Sequence, residues 1–268
     1  MKDTELQKRV IFGALAAAVL LLFLWIGGIP FQILVGLLAV LAVREMLQMK
    51  GLETASIESG LTMLAAFVLA LPMEKYLAFL PYDGHVMAYG FVVFLLLIAT
   101  VFMPNYSFDD AAYPIAASFY VGFGFHALAI AQLSGFNKVL LALFIVWATD
   151  SGAYLVGRQY GRHKLMPTVS PNKTIEGSLG GILSAVVVTF IFALVDKSVA
   201  LPYGRFMILL LAVVFSIAGQ LGDLIESSIK RHFGVKDSGL FIPGHGGVLD
   251  RFDSLLLVFP MMHLLGLF

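Results

Sequence analysis

Residues 206–222 run for seventeen positions without a charged side chain, and residues 177–195 and 10–29 do the same over nineteen and twenty. Runs of that length match the thickness of a bilayer's hydrocarbon core, and there the backbone must satisfy its own polar groups, so the segments are expected to be helices. Composition agrees. The chain of 268 residues is 60% hydrophobic and only 13% charged, with mean hydropathy +0.93, whereas the apolar share of a soluble domain is nearer half. The fold class expected is all-α, a polytopic integral membrane protein.

Taken in order, residues 10–29 follow Lys2, Lys8 and Arg9. The run is longer than the apolar core of a signal peptide and no small-x-small cleavage site follows it, so it is read as the first span. Gly27, Gly28 and Pro30 break it. A short second span over 31–43 ends at Arg44 and Glu45, and a third covers 60–73. Further runs lie at 86–103, 111–135, 139–157 (interrupted by Asp150), 177–195, 206–223 and 252–268, about nine in all. With the N-terminus inside, only Lys75, Lys138, Lys197 and Arg205 of the 17 basic residues fall outside. That bias puts residues 150–177 and 219–253 on the cytoplasmic side. No low-complexity tract or internal repeat divides the chain, so 1–268 is read as one transmembrane domain.

The remaining charges are bunched. Residues 227–253 read SSIKRHFGVKDSGLFIPGHGGVLDRFD and hold Lys230, Arg231, Lys236, Asp237, His245, Asp250, Arg251 and Asp253 between apolar runs. Groups of this kind are costly to remove from water, so they face water, a metal or a charged ligand. Gly244, Gly246 and Gly247 let N–H groups turn toward an anion, and the stretch reads as a site for a phosphate-rich substrate. Just before it, Asp223, Glu226, Ser227 and Lys230 share one helical face, where Glu226 and Lys230 also suit a plain i, i+4 ion pair. Gly219 and Gly222 would let a neighbour approach closely.

Asp223 and Asp250 are carboxylates from different segments, the kind of anchors magnesium takes alongside water and phosphate oxygens. Lys230, Arg231, Lys236 and Arg251 are then placed to hold a phosphate chain, with the start of the last helix favouring an anion. The competing reading is a solvated, charged rim that sets topology. A third cluster holds Asp150, Tyr154, Gly157 and Arg158, then, after a loop, Ser170, Pro171, Asn172, Lys173, Thr174, Glu176 and Gly177. Ser170 followed by Pro171 reads as an N-cap with proline at the first helical position, another anion-friendly end. The sequons at Asn105 and Asn172 fall on the cytoplasmic side and are discounted, and His126, alone in an apolar span, reads as a packed residue. The absence of cysteine excludes disulfides, thiolate zinc sites and a cysteine nucleophile. Net charge is zero and points to no acidic partner; no nucleic acid is expected.

The pattern S-x-I-K-R-x4-K-D-x-G followed by I-P-x-H-G-G-V-x-D-R-F-D, over residues 227–253, resembles the signature of the phosphatidate cytidylyltransferase family. The S-P-N-K-T-x-E-G segment at 170–177 and the Asp150 segment are also similar to that family, whereas the first half matches only as membrane spans. The resemblance implies transfer of CMP from CTP to phosphatidic acid, giving CDP-diacylglycerol and pyrophosphate. It implies magnesium held by Asp223 and Asp250, with potassium as a second cation, and a homodimer in the inner (cytoplasmic) membrane of a bacterial-type cell with its site facing the cytoplasm. Lys230, Arg251 and Lys173 take catalytic roles in this reading. Ser170, Asn172, Glu176, Ser227, Arg231, Lys236, His245, Gly246, Gly247 and Asp150 take substrate-binding ones. His245 suits loop ordering better than base catalysis, because phosphatidate is already largely a dianion at neutral pH.

Two other classes fit parts of the pattern. A CTP-dependent lipid kinase would share the spans and polar loops but release CDP in place of pyrophosphate. A secondary transporter would also carry acidic residues in its spans, but along a route open to both faces, where here the clusters sit on one side.

Overall fold

The computed structural model describes residues 2–75, 83–200, 203–239 and 246–268. Ten α-helices account for almost all of it: α1 (Lys2–Ile26), α2 (Gly28–Met49), α3 (Ile57–Ala70), α4 (Gly84–Phe102), α5 (Phe108–Ser134), α6 (Phe136–Tyr160), α7 (Ile175–Val195), α8 (Gly204–His232), α9 (Leu249–Phe252) and α10 (Leu255–Leu264). Between α6 and α7 stands a two-stranded antiparallel hairpin, β1 (Lys164–Met166) and β2 (Ser170–Thr174), a small exception to the all-α expectation. Among the described residues, α2, α4, α5, α6, α7 and α8 are long and apolar enough to cross a membrane, and the apolar parts of α1, α3 and α10 are shorter. The protein is an integral membrane protein with several apolar helices.

Contacts divide the chain into two compact units, Met1–Leu133 with Asp237–Arg251, and Ser134–Lys236 with Phe252–Phe268. In the first, α1 ends at Gly27, which lies in the left-handed region (φ 64°). The second run is not short: α2 continues through Arg44 and Glu45 to Met49. Charge there does not end the helix because Glu45 is not in water; it is buried and its carboxylate is fully occupied by hydrogen bonds. Phe31, Val35, Ala39, Val43, Ala66 and Phe125 form part of this unit's core.

In the second unit α6 and α7 meet along a seam of small residues. A Cβ on Gly177 would stand 2.7 Å from the Ala153 carbonyl, one on Gly181 2.7 Å from that of Thr149, and one on Gly180 2.5 Å from the Val156 side chain. Such close backbone approach is how helices gain dispersion contact where lipid removes the hydrophobic driving force. A buried Thr149–Ser216 hydroxyl pair at 2.9 Å joins α6 to α8, and Gln220 donates to the Ser178 carbonyl at 3.4 Å to join α8 to α7.

Two expected helix starts are corrected. Residues 170–174 form β2, not a helix, with Met166 opposite Ser170 and Lys164 opposite Thr174. Pro171 is tolerated because both strands of a two-stranded ribbon are edges. The cap of α7 is Thr174, whose Oγ1 accepts from Gly177 N at 3.1 Å. The last span is also interrupted: the chain turns at Asp253 and Ser254 between α9 and α10. Gly222 makes room for that turn, since a Cβ there would lie 2.6 Å from the Asp253 carbonyl and 2.9 Å from Ser254 Cα. The close approach expected at Gly222 is therefore present.

Candidate active site

α8 has 29 residues, a length of about 43 Å against roughly 30 Å of hydrocarbon, so one end must stand clear of it. Its uncharged part ends at Gly222, and Asp223 opens the polar end. There the shared helical face takes the expected form. Ser227 Oγ donates to Asp223 Oδ1 at 3.2 Å, and Lys230 Nζ lies 2.5 Å from Glu226 Oε2. Glu226 is fully buried and the Lys230 side chain only 13% exposed, so this is the i, i+4 pair, held within the unit. Arg231 is exposed and donates to the Val235 carbonyl at 3.3 Å, closing the helix end; Lys236 is exposed beyond it.

Asp223 is joined from a different element. Lys173 of β2 reaches it with Nζ 2.6 Å from Oδ2, and both side chains stay partly open, at 26% and 30%. The hairpin is what makes this possible, because it carries Lys173 to the side of α7 that faces α8. The pair borders a cleft of about 460 Å³ lined by Asp150, Tyr154, Arg158, Asn172, Lys173 and Asp223, with Gly157, Gly177 and Gln220 also on its walls. Asp150 feels the charges of Asp223 and Lys173, and Asp253 those of Asp223, Asp150 and Lys230. The structure thus brings Asp150, Asn172, Lys173 and Asp223 together on one cleft. Tyr154 and Arg158 of the third cluster line it too, and Gln220 is a wall residue the sequence reading did not single out. Tyr154 and Arg158 carried a sequence signal, lying one and two turns beyond Asp150, and they are in hydrogen-bond reach of each other at 3.4 Å; Gln220 carried none beyond its place before Asp223.

Glu176 is engaged at the start of the hairpin. Its carboxylate accepts from Arg162 N at 3.1 Å and His163 N at 3.2 Å and lies 2.6 Å from His163 Nδ1, fixing the entry to the hairpin. Ser170 opens β2 and is half-buried.

Asp250, Gly246, Gly247 and Arg251 belong to the first unit. Asp250 Oδ2 accepts from Gly247 N at 2.8 Å and Ser238 N at 3.0 Å, with Ser238 Oγ also at 3.0 Å. Gly246 adopts φ 86°, open to glycine, and a Cβ there would lie 2.5 Å from Asp250 Oδ2. Arg251 is exposed, its N–H given to the Val248 carbonyl at 3.0 Å. His245 lies outside the described residues. Glu45, missed because a charged residue at the end of an apolar run reads as a topology marker, accepts from Val248 N, Leu249 N and Ser238 Oγ.

Carboxylate oxygens with lysine among them suit a hard cation and an anionic ligand together. Among the described residues, no three Asp, Glu, His or Cys side chains converge on a point that would hold a metal alone. A cation here would complete its shell with water and ligand oxygens, which is magnesium's habit, so the donor set fits that ion.

A membrane-embedded helical protein with such a cleft beside its longest helix has the form of an enzyme acting on a phosphorylated substrate at the bilayer surface. A model of the cytidylyltransferase family matches residues 7–268, and the chain belongs to that family. It is 41% identical over 271 residues to the phosphatidate cytidylyltransferase of Bacillus subtilis (strain 168), covering 98% of this chain and 99% of that protein. It is 40% identical over 263 residues to the enzyme of the same name from Staphylococcus epidermidis, and 37% over 264 residues to that of Staphylococcus aureus, each alignment covering 97% of this chain and 98% of the relative.

Proposed function

We infer that this chain is a phosphatidate cytidylyltransferase, a nucleotidyltransferase of phospholipid synthesis. A phosphate oxygen of phosphatidic acid attacks the α-phosphorus of CTP; the bond from that phosphorus to the β-phosphate bridging oxygen breaks, and CDP-diacylglycerol and pyrophosphate result. The observation that carries the reading is similarity along nearly the whole chain, rather than at one motif, to proteins of that name. The cleft chemistry supports it. Phosphatidate has a second pKa near 6 and is already mostly dianionic at neutral pH, so the site needs no strong base. It needs positive charge, to bring two anions together and to stabilise the leaving pyrophosphate.

Lys173 is the residue best placed for that work, exchanging its contact with Asp223 for a substrate phosphate. Arg251, Lys230, Arg231 and Lys236 are proposed for the remaining phosphate charge, with Asn172, Ser170, Ser227, His245, Gly246, Gly247 and Asp150 as further contacts. Asp223 would hold Mg2+, with Asp150 and Asp253 adding negative charge nearby; Asp250 is proposed for the same role on the family resemblance. When bound, the ion neutralises phosphate charge and orients the nucleotide. Potassium as a second cation, a homodimer, nine spans with the N-terminus inside, and a site facing the cytoplasm complete the reading.

Detergent-purified protein given CTP, phosphatidate and Mg2+ should release pyrophosphate and form CDP-diacylglycerol. Release of CDP with no CDP-diacylglycerol would make it a lipid kinase instead. For orientation, a cysteine near Gly239, at the exposed Asp237, should label from the cytoplasmic face and one near Asp196 from the opposite face; labelling of both from one side would overturn the span count between them.

A further inference from the structure

Glu45 lies on α2, within the last turn or so of a helix read as a membrane span, with its side chain only 5% exposed. A carboxylate in such a place persists only with donors of its own. Three are present: Val248 N at 2.8 Å from Oε1, and Leu249 N and Ser238 Oγ each at 2.9 Å from Oε2. Leu249 opens the short helical turn that holds Asp250 and Arg251, and N–H groups at a helix start have no partner within the helix. Glu45 supplies, from 203 positions away for Val248, what a capping side chain supplies locally.

The same loop is tied from its other side by Asp250, through Gly247 N and Ser238 N. Ser238 Oγ stands within hydrogen-bond distance of both carboxylates. The fit is close enough to dictate residue type. A Cβ on Gly239 would stand 2.8 Å from Glu45 Oε1, and one on Gly247 would collide with Glu45 Oε2 and Ser238 Oγ. The glycine of the motif at 247 therefore answers to a residue in the second helix of the chain, as well as to any ligand.

We propose that Glu45 is a positioning residue for the cytidylyl transfer inferred above: it fixes the turn that carries Asp250 and Arg251 and does not itself touch substrate. Glu45→Gln keeps the size but sets an amide NH2 against donors. In the intact, correctly inserted variant, kcat should fall about tenfold or more and half-saturating Mg2+ should rise about tenfold or more, the scale seen when a residue behind a metal ligand is lost. In the same protein without substrate or metal, amide exchange over residues 246–252 should quicken about tenfold, with α6, α7 and α8 unchanged. Unchanged exchange with kcat within about twofold of the parent overturns the proposal, as does exchange that quickens throughout the chain. If Glu45→Gln does not insert, Ser238→Ala carries the same expectation at about threefold in kcat and in Mg2+ demand, and parental kinetics there overturns it. A parent protein that makes no CDP-diacylglycerol would defeat the functional reading alone, because the exchange arm still decides whether Glu45 holds the loop.

Discussion

Glu45 and Asp250 in the first unit and Asp223 in the second are answered by different donors. In the first, Glu45 and Asp250 accept from backbone N–H groups that belong to the loop itself, and the Ser238 hydroxyl stands within reach of both. In the second, Asp223 meets the ammonium of Lys173 on the wall of an open cleft, where both side chains keep a quarter to a third of their exposure. An N–H cannot leave its carboxylate without undoing the turn that carries it. A lysine on a hairpin can turn to a phosphate at the cost of one ion pair. A carboxylate answered by backbone N–H groups is thus bound to the loop it fastens, whereas one answered by an ammonium can change partners, and the identity of the donor tells which.

The largest effects should come from the acids. Asp223→Asn is expected to abolish turnover while leaving expression and insertion intact, because it removes a cation anchor and leaves Lys173 without its counter-charge. Asp250→Asn should abolish turnover as well, and here the comparison sharpens. Only the second substitution should also speed amide exchange over residues 246–251, since only Asp250 is tied to Gly247 and Ser238. Near-parental turnover in either variant removes that residue from the cation site. Equal exchange in both erases the distinction between a building and a reacting carboxylate.

Lys173→Ala comes next. A lost charge-assisted contact to a phosphate is worth about 1.5–3 kcal/mol, or roughly tenfold to a few hundredfold in rate. The structure adds a second signature. Because Lys173 pairs with Asp223, where a cation would bind, its removal should lower kcat without raising the Mg2+ requirement. Titration of initial rates against Mg2+ in Lys173→Ala and in the parent checks this. A raised Mg2+ requirement in Lys173→Ala would mean that the lysine shapes the cation site and does not serve the phosphate.

Much of this was legible in the sequence. Apolar runs lie at every long helix, because in lipid the backbone has no alternative to the helix, although Asp150 interrupts the run in α6 and Arg44 and Glu45 made the one in α2 look short. Asp223, Ser227 and Lys230 fell on one face by spacing. Reading failed where a partner distant in sequence decides. Glu45 looked like the end of a span, and nothing near it signals that Val248 and Leu249 will supply its donors. Ser170 and Pro171 looked like a helix start, since proline suits both a first helical turn and an edge strand, and the pairing of β2 with Lys164–Met166 settled which. The break at Asp253 depends on Gly222 of another helix leaving room for its carbonyl, which local propensity does not encode.

The smallest effect is expected at Lys50, a basic residue on the loop after α2 with no phosphate motif around it. Its ammonium sits 5.0 Å from the centre of the Tyr113 ring, and the Tyr113 hydroxyl donates to the Met46 carbonyl at 2.8 Å. Lys50 therefore fastens the end of α2 to α5 through an aromatic face, a contact worth about 0.5–1 kcal/mol where water has access. Lys50→Ala should lower the melting temperature of the purified protein by a few degrees at most, about 2–4 °C per kcal/mol for a chain of this size. Its rate should stay within about twofold of the parent, because no term in the barrier passes through that contact. Lys173 is tied to the carboxylate of Asp223, and Lys50 is tied to a ring. If Lys50→Ala, correctly inserted, loses as much rate as Lys173→Ala, then basic residues on these loops act through the common field of the membrane face. The cleft lysine would then have no special claim on the phosphate.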